Sequence, residues 1–197
     1  MTPMTFHDHA IESIRVKEAL AGDTAFGEAF EAAASLCIKT LTSGGKVLIA
    51  GNGGSAADAQ HFAGELVSRF YFDRPGLAAV ALTVDTSILT AIGNDYGFEK
   101  TFSRQVQALG ATGDLFIGIS TSGRSPNILA GLQEARARGL ATIGLTGRTG
   151  GTMGEHCDLC LKVPSDSTPR IQEGHSLIVH ALCATIESRI FGGALEP

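Results

Sequence analysis

His61 and Glu65 stand four residues apart, with Arg69 four further on, in a stretch beginning near Ala56 where Phe62 and Leu66 supply apolar positions at helical spacing. Residues i and i+4 of a helix share one face. An imidazole and a carboxylate so placed can hold one divalent cation or move a proton between them. A second group lies near the C-terminus, where Gln172, Glu173, His175 and His180 interleave with Ile171, Leu177, Ile178 and Leu182. Polar groups on an otherwise apolar helix are costly unless paired, which makes His180, among Ile178, Val179, Ala181 and Leu182, a ligand or proton-transfer candidate. The bland alternative for both groups is a solvated pair and a satisfied core histidine.

Two loops offer an anion something to bind. Gly51-Asn52-Gly53-Gly54-Ser55 runs from an apolar segment into a helix, and such a turn presents backbone N–H groups to an anion or a sugar oxygen. It has neither the G-x-G-x-x-G spacing of a dinucleotide site nor the G-K-[ST] of a P-loop, so a nucleotide site is disfavoured. Ser120-Thr121-Ser122-Gly123-Arg124-Ser125-Pro126 places four hydroxyls ahead of a helix whose first residue is proline and whose cap is Ser125. One hydroxyl suffices for a cap; four make a phosphate cradle.

These groups need a frame. Lys46–Ala50, Ala78–Leu82, Asp114–Ser120, Ala141–Thr146 and Leu159–Val163 are short, nearly continuous apolar runs, the pattern of strands buried on both faces. Helical stretches lie between them: Ala56–Phe70, Ser87–Ile92 or beyond, Ile128–Arg138 and Ile171–Ile190. Alternation of this kind predicts an α/β fold with a doubly wound, mostly parallel five-stranded sheet flanked by helices. An N-terminal helical arm over about 5–43, two helices broken at Ala21-Gly22-Asp23, precedes it, and residues 1–197 read as one domain. Ligands in such sheets bind beyond the carboxyl ends of the strands, where both loops fall. The Gly-rich Thr146–Gly154 is expected to be a mobile surface loop, and the last helix to start at Pro169 with Thr168 as cap.

Among 197 residues, 15 Lys and Arg against 20 Asp and Glu give a net charge of −5, no footprint for nucleic acid or an anionic membrane. No apolar run approaches a membrane span, and Met1–Glu12 lacks the basic and apolar pattern of a signal peptide, so a cytoplasmic protein is expected. Cys37, Cys157, Cys160 and Cys183 read as reduced thiols, with Cys157-x-x-Cys160 half-buried on a strand.

Taken together, Gly51-Asn-Gly-Gly-Ser55, His61-Phe-Ala-Gly-Glu65, Asn94-Asp-Tyr-Gly97, Ile119-Ser-Thr-Ser-Gly123, Leu145-Thr-Gly147 and Arg170-Ile-Gln-Glu-x-His175-x4-His180 resemble the phosphoheptose isomerase family of SIS (sugar isomerase) domains over nearly the whole chain. The resemblance implies one zinc per subunit on His61, Glu65, Gln172 and His180. It implies substrate contacts from Asn52, Gly53, Gly54, Ser55, Glu65, Asn94, Asp95, Ser120, Thr121, Ser122, Ser125 and Gln172, with the Ser loop taking the phosphate. Glu65 would be the base and His180 the acid in a C1–C2 proton transfer converting sedoheptulose 7-phosphate to D-glycero-D-manno-heptose 7-phosphate, for nucleotide-activated heptoses of lipopolysaccharide or capsule. A cytoplasmic homotetramer with sites near subunit interfaces is implied as well. Pro169 stands where some relatives carry an acid, with Asp166 three residues earlier. The alternative is a non-catalytic sugar-phosphate-binding SIS module of a regulator. On a regular helix Gln172 and His180 lie about 12 Å apart and about 80° out of phase, so reaching one metal requires a helix break near Gln172 or ligands from two subunits.

Overall fold

The computed structural model describes residues 4–192; the outermost ends of the 1–197 domain reading lie outside them. Five parallel strands, β1 (Val47–Gly51), β2 (Ala79–Ala81), β3 (Leu115–Ile119), β4 (Ala141–Thr146) and β5 (Leu159–Lys162), form one sheet in the order β2-β1-β3-β4-β5. Alternate side chains leave opposite faces of a strand. Val47 and Ile49 therefore enter one core with Phe62, Leu66, Leu182 and Ile186, while Leu48 and Ala50 enter a second with Phe102, Val106, Ile128 and Leu132. Every residue of β1 and β3 is buried, which explains why these strands read as unbroken apolar runs. At the amino-terminal edge, Asp114 accepts the Lys46 N–H at 2.9 Å and pairs with its Nζ at 2.5 Å, registering the starts of β1 and β3.

The first core is covered by α2 (Thr24–Thr42), α3 (Gly54–Val67) and α7 (Thr168–Phe191), and the second by α5 (Thr101–Leu109) and α6 (Pro126–Ala137). The arm is two helices as expected. Thr5 and Asp8 form a capping box on α1 (Phe6–Ala21), and Asp23, in the expected break, caps α2 through Phe26 N–H. Asp85 caps α4 (Thr86–Tyr96) in the same way, and α4 has no buried residue. Among the described residues no helix is long and apolar enough to cross a membrane.

Four expectations require correction. Helix α5 was not foreseen: Phe102, Val106 and Leu109 stand at helical spacing, but Ser103, Arg104, Gln105 and Gln107 between them leave no apolar run. The 146–154 stretch is no detached loop: Thr152 and Met153 both donate their N–H to Gly123 O, at 3.1 and 3.0 Å, and Met153 is fully buried. Its glycines permit that approach, since a Cβ on Gly151 would strike the Gly123 carbonyl. Helix α7 begins one residue early, with Ser167 rather than Thr168 at the cap, and it runs 24 residues without a break. The predicted break near Gln172 is therefore absent.

One buried group makes the fold acid-sensitive. His175, on α7, is fully buried and donates Nε2–H to Thr146 O at 3.2 Å, leaving Nδ1 without a protein partner. Burial lowers its pKa from 6.5 to about 4 despite that hydrogen bond. The folded state therefore prefers neutral imidazole, and this contribution is complete above pH 6.5 and lost as pH falls towards about 4. Urea unfolding across that interval should cost the native chain on the order of 3 kcal/mol more than His175→Gln; equal losses would assign the acid sensitivity elsewhere.

Candidate active site

The order of strands places the switch point of the sheet between β1 and β3, where successive crossovers diverge and a crevice opens beyond the carboxyl ends. Both candidate loops lie there. They are joined by a reciprocal amide pair, Asn52 Nδ2–H to Asn127 Oδ1 at 2.9 Å and Asn127 Nδ2–H to Asn52 Oδ1 at 2.8 Å. The turn after β1 needs its glycines: a Cβ on Gly51 would collide with the Ser55 carbonyl, and Gly53 sits at φ 55°. Ser55 is buried in the first turn of α3, and Gly53 holds the cap position in place of a side-chain cap.

In the second loop the Ser120 and Ser125 hydroxyls meet at 2.8 Å, and Ser122 Oγ lies 3.4 Å from Ser120 Oγ while accepting the Arg124 N–H at 3.2 Å. Ser125 occupies the cap position of α6 but its hydroxyl turns into this cluster and caps nothing. Thr121 O accepts the Gly147 N–H, tying the loop to the end of β4. Beside it lies a cavity of about 250 Å³, walled by Thr121, Ser122 and Arg124 on one side and Thr168 and Ile171 on the other. Helices α3, α6 and α7 all start around this crevice without a side-chain cap, whereas α1, α2 and α4 each have one. Uncapped amino ends leave N–H groups and partial positive charge for an anion.

Away from the loops α3 and α7 run side by side. Gln172 lies against Gly54, where any Cβ would collide with its amide. One turn on, Ser176 Oγ–H donates to Asp58 Oδ1 at 3.4 Å. Further along, His61 Nε2 is 3.0 Å from Glu65 Oε1 and 3.4 Å from His180 Nε2, with the two rings edge to face at a 4.9 Å centroid separation. Phe70 packs on the other side of His180, 5.6 Å between centroids. His61, Glu65 and His180 thus meet. Gln172 stands at the opposite end of the seam, and Asn94 and Asp95 lie exposed on α4, hydrogen-bonded to each other at 2.8 Å.

Imidazole nitrogens, a carboxylate and an amide oxygen are donors zinc accepts, and tetrahedral bonds of about 2.0–2.1 Å put neighbouring donors about 3.3–3.4 Å apart. The 3.4 Å between the two Nε2 atoms matches such an edge. Among the described residues, however, no three His, Cys, Asp or Glu side chains surround a common centre; His61 is the middle of a row. The donors fit a metal in kind and pairwise spacing, and closing them round one ion needs side-chain rotation.

Sequence reasoning missed Asp58. It is half-buried, its Oδ2 has no protein partner, and burial raises its pKa against the opposing Ser176 hydrogen bond and His61. Following the His61 face back one turn would have found it. The C-x-x-C thiols are free and half-buried; Cys160 lies within β5 as expected, whereas Cys157 stands in the bend before it, its thiol donating to Met153 O at 3.2 Å.

A crevice with a hydroxyl-rich anion loop and a nearby acid–base row places the chain in a class of sugar-handling α/β proteins, and residues 16–147 match the family model described as SIS domain. It is 62% identical over 181 residues, 92% of either chain, to a phosphoheptose isomerase of Burkholderia pseudomallei. It also superposes on the solved phosphoheptose isomerases of Francisella tularensis (TM-score 0.89, 42% identity, 94% of this chain and 100% of that one) and Neisseria gonorrhoeae (0.85, 49%, 91% and 95%). The chain belongs to the phosphoheptose isomerases, enzymes of sugar-phosphate isomerisation.

The amide bridge yields a test. Asn127→Ala leaves the Asn52 amide unpaired, which should cost about 1–3 kcal/mol of stability and loosen the two loops. Steady-state kinetics should show a raised KM for sugar phosphate with kcat little changed; a fall in kcat alone would place the bridge in the chemistry instead.

Proposed function

We propose that the enzyme converts sedoheptulose 7-phosphate to D-glycero-D-manno-heptose 7-phosphate through a cis-enediol, in the cytoplasm, supplying nucleotide-activated heptose for lipopolysaccharide or capsule. The observation that carries the reading is the contiguous Glu65–His61–His180 row on the seam that begins at the anion loops. Ser120, Thr121, Ser122 and Ser125 hold the phosphate, with Asn52, Gly53, Gly54 and Ser55 on the chain beside it. Glu65 removes a proton from C1 and returns it to C2. His180 donates a proton to O2 as the enediol forms and accepts one from O1 as it collapses, so the net change is one carbonyl exchanged for another. With Oε1 towards His61, Oε2 is the Glu65 oxygen left for the proton.

Zinc, one per subunit, is the metal we assign to His61, Glu65, His180 and Gln172; bound there it supplies Lewis acidity to the carbonyl and enediolate oxygens. Because α7 is unbroken, Gln172 and His180 stay about 12 Å apart along one helix. We therefore assign Gln172 of a second copy to each metal site. A homotetramer has surface to form from: α4 exposes Ile88 and Tyr96 beside Val84 and Phe98, and an apolar groove of about 850 Å³ between α1, α2 and α7 is lined by Leu20, Phe26, Phe30 and Leu177. Asn94 and Asp95, on that α4 face, reach substrate in the assembled enzyme.

Turnover of sedoheptulose 7-phosphate should disappear on chelation and return with zinc; a zinc-loaded protein that binds the sugar phosphate without turning it over would be a regulatory SIS module. Glu65→Gln should lower kcat about 10²–10⁴-fold with substrate affinity near normal, and full activity would remove Glu65 from its role. Co-expressed Glu65→Gln and Gln172→Ala chains, each inactive alone, should regain activity in mixed oligomers. Mixtures that stay inactive would place all four ligands in one chain.

A further inference from the structure

Beyond the catalytic row, a buried ion pair joins the end of α3 to α7. Glu187 follows His180 by about two turns of α7, and its side chain and that of Arg74 are 1% and 2% exposed. Glu187 accepts the Phe70 N–H at Oε1 (2.8 Å), the Tyr71 N–H at Oε2 (2.6 Å) and Arg74 Nε–H at 3.0 Å. The remaining Arg74 nitrogens turn back on the helix that carries Glu65: Nη2 donates to Glu65 O at 2.8 Å, and Nη1 to Leu66 O at 2.6 Å and Ser68 O at 3.1 Å. Helix α3 ends at Val67 without a glycine, its last residue followed by Ser68 at φ −83°, ψ −102°. Of the carbonyls at this helix end, ordinarily met by a left-handed glycine motif, those of Glu65 and Leu66 are met by one guanidinium, while backbone N–H groups of Ser68 and Leu77 reach Gly64 O and Leu66 O.

Both catalytic side chains are attached to this network. The carbonyl that Arg74 Nη2 holds belongs to Glu65 itself. The ring that meets His180 at a tilt of 43° belongs to Phe70, whose N–H is fixed by Glu187. Burying two charges is seldom a gain over well-packed apolar residues, so stability alone is a weak reason for the pair. Burial would push the Glu187 carboxyl up, but the Phe70 and Tyr71 N–H groups and Arg74 outweigh it and hold the group below the usual carboxylate range, keeping the network ionised at neutral pH.

We propose that Arg74 and Glu187 are positioning residues for the isomerase reaction: together they fix the end of α3 that bears Glu65 and, through Phe70, the ring of His180. The inference rests on reading Glu65 and His180 as the base and acid. It makes the pair a requirement for turnover beyond whatever it contributes to stability.

The test is the double variant Arg74→Met/Glu187→Leu, which removes both charges together and strands neither. Melting temperature, steady-state kinetics with sedoheptulose 7-phosphate, amide exchange over residues 66–71 and, in metal-free protein, the NMR signals of the His180 ring are read on the same sample. Expected are a folded protein with a melting temperature lowered by the lost hydrogen bonds, KM within about twofold, and kcat lowered about 10- to 100-fold. Lost protection of the Phe70 and Tyr71 amides and displaced His180 ring signals complete the expected pattern. Arg74→Lys, which retains the charge but cannot reach several carbonyls, should repeat the loss of kcat with the fold intact and secures the test should the double variant not fold. Unchanged kcat and unchanged His180 signals in either folded variant overturn the proposal and leave the pair structural. Should Glu65→Gln prove active, the acid–base reading falls, while the His180 signals and amide exchange still decide whether the pair positions that ring.

Discussion

The close approach of α7 to its neighbours is the constraint on which the site depends. Small residues clear its path: a Cβ on Gly174 would press on both methyls of Val163 at 2.7 Å, and one on Gly54 would collide with Gln172. Where α7 meets the end of β4 it buries His175 against a strand carbonyl. With that helix seated, Gln172, Ser176 and His180 face Gly54, Asp58 and His61 in turn, so the two helices run in the same direction with their functional faces opposed. Were α7 held further off by ordinary side chains, the row of contacts between the two helices would open and His180 would have neither His61 nor Phe70 beside it.

The two halves of the site are held by different physics. The loops at the crevice are fixed by neutral hydrogen bonds, the Asn52–Asn127 pair and the hydroxyl cluster of Ser120, Ser122 and Ser125. The far end is fixed by charge in a dry environment, with Glu187 and Arg74 fully engaged. Between them the sheet contributes rigidity, since β1 and β3 are buried on both faces and their residues have no freedom to shift register.

Much of the frame was legible because nearly continuous apolar runs mark all five strands; burial on both faces accounts for them in β1, β3 and most of β4, whereas the edge strands β2 and β5 are only partly buried. The His61/Glu65 adjacency followed from helical periodicity alone. Helix α5 carries its signal in the spacing of Phe102, Val106 and Leu109 rather than in an apolar run, and the polar residues between them mask it. Glycines at 150 and 151 look the same whether they loosen a loop or allow it to pack on another backbone, and only the tertiary contact with Gly123 separates the two. Asp58 is signalled only by its place one turn before His61 on the same helix face, and the Arg74–Glu187 pair carries no local signal, for the two residues lie 113 positions apart. The separation of Gln172 from His180 was computable from helix geometry; whether the helix broke was not, because the residues around Gln172 include neither a second proline nor a competing cap.

Three helices, α3, α6 and α7, begin around one crevice with their amino ends free of side-chain caps, in a chain whose net charge is −5. The attraction they exert on an anion comes from aligned peptide dipoles, which do not titrate. Near neutrality the protein's side of that recognition therefore stays constant, and what varies is the ligand: a phosphate monoester gains its second charge with a pKa near 6. A phosphate group seated at these amino ends would thus meet a charge that does not change, and the pH dependence of its capture would report the ionisation of the ligand.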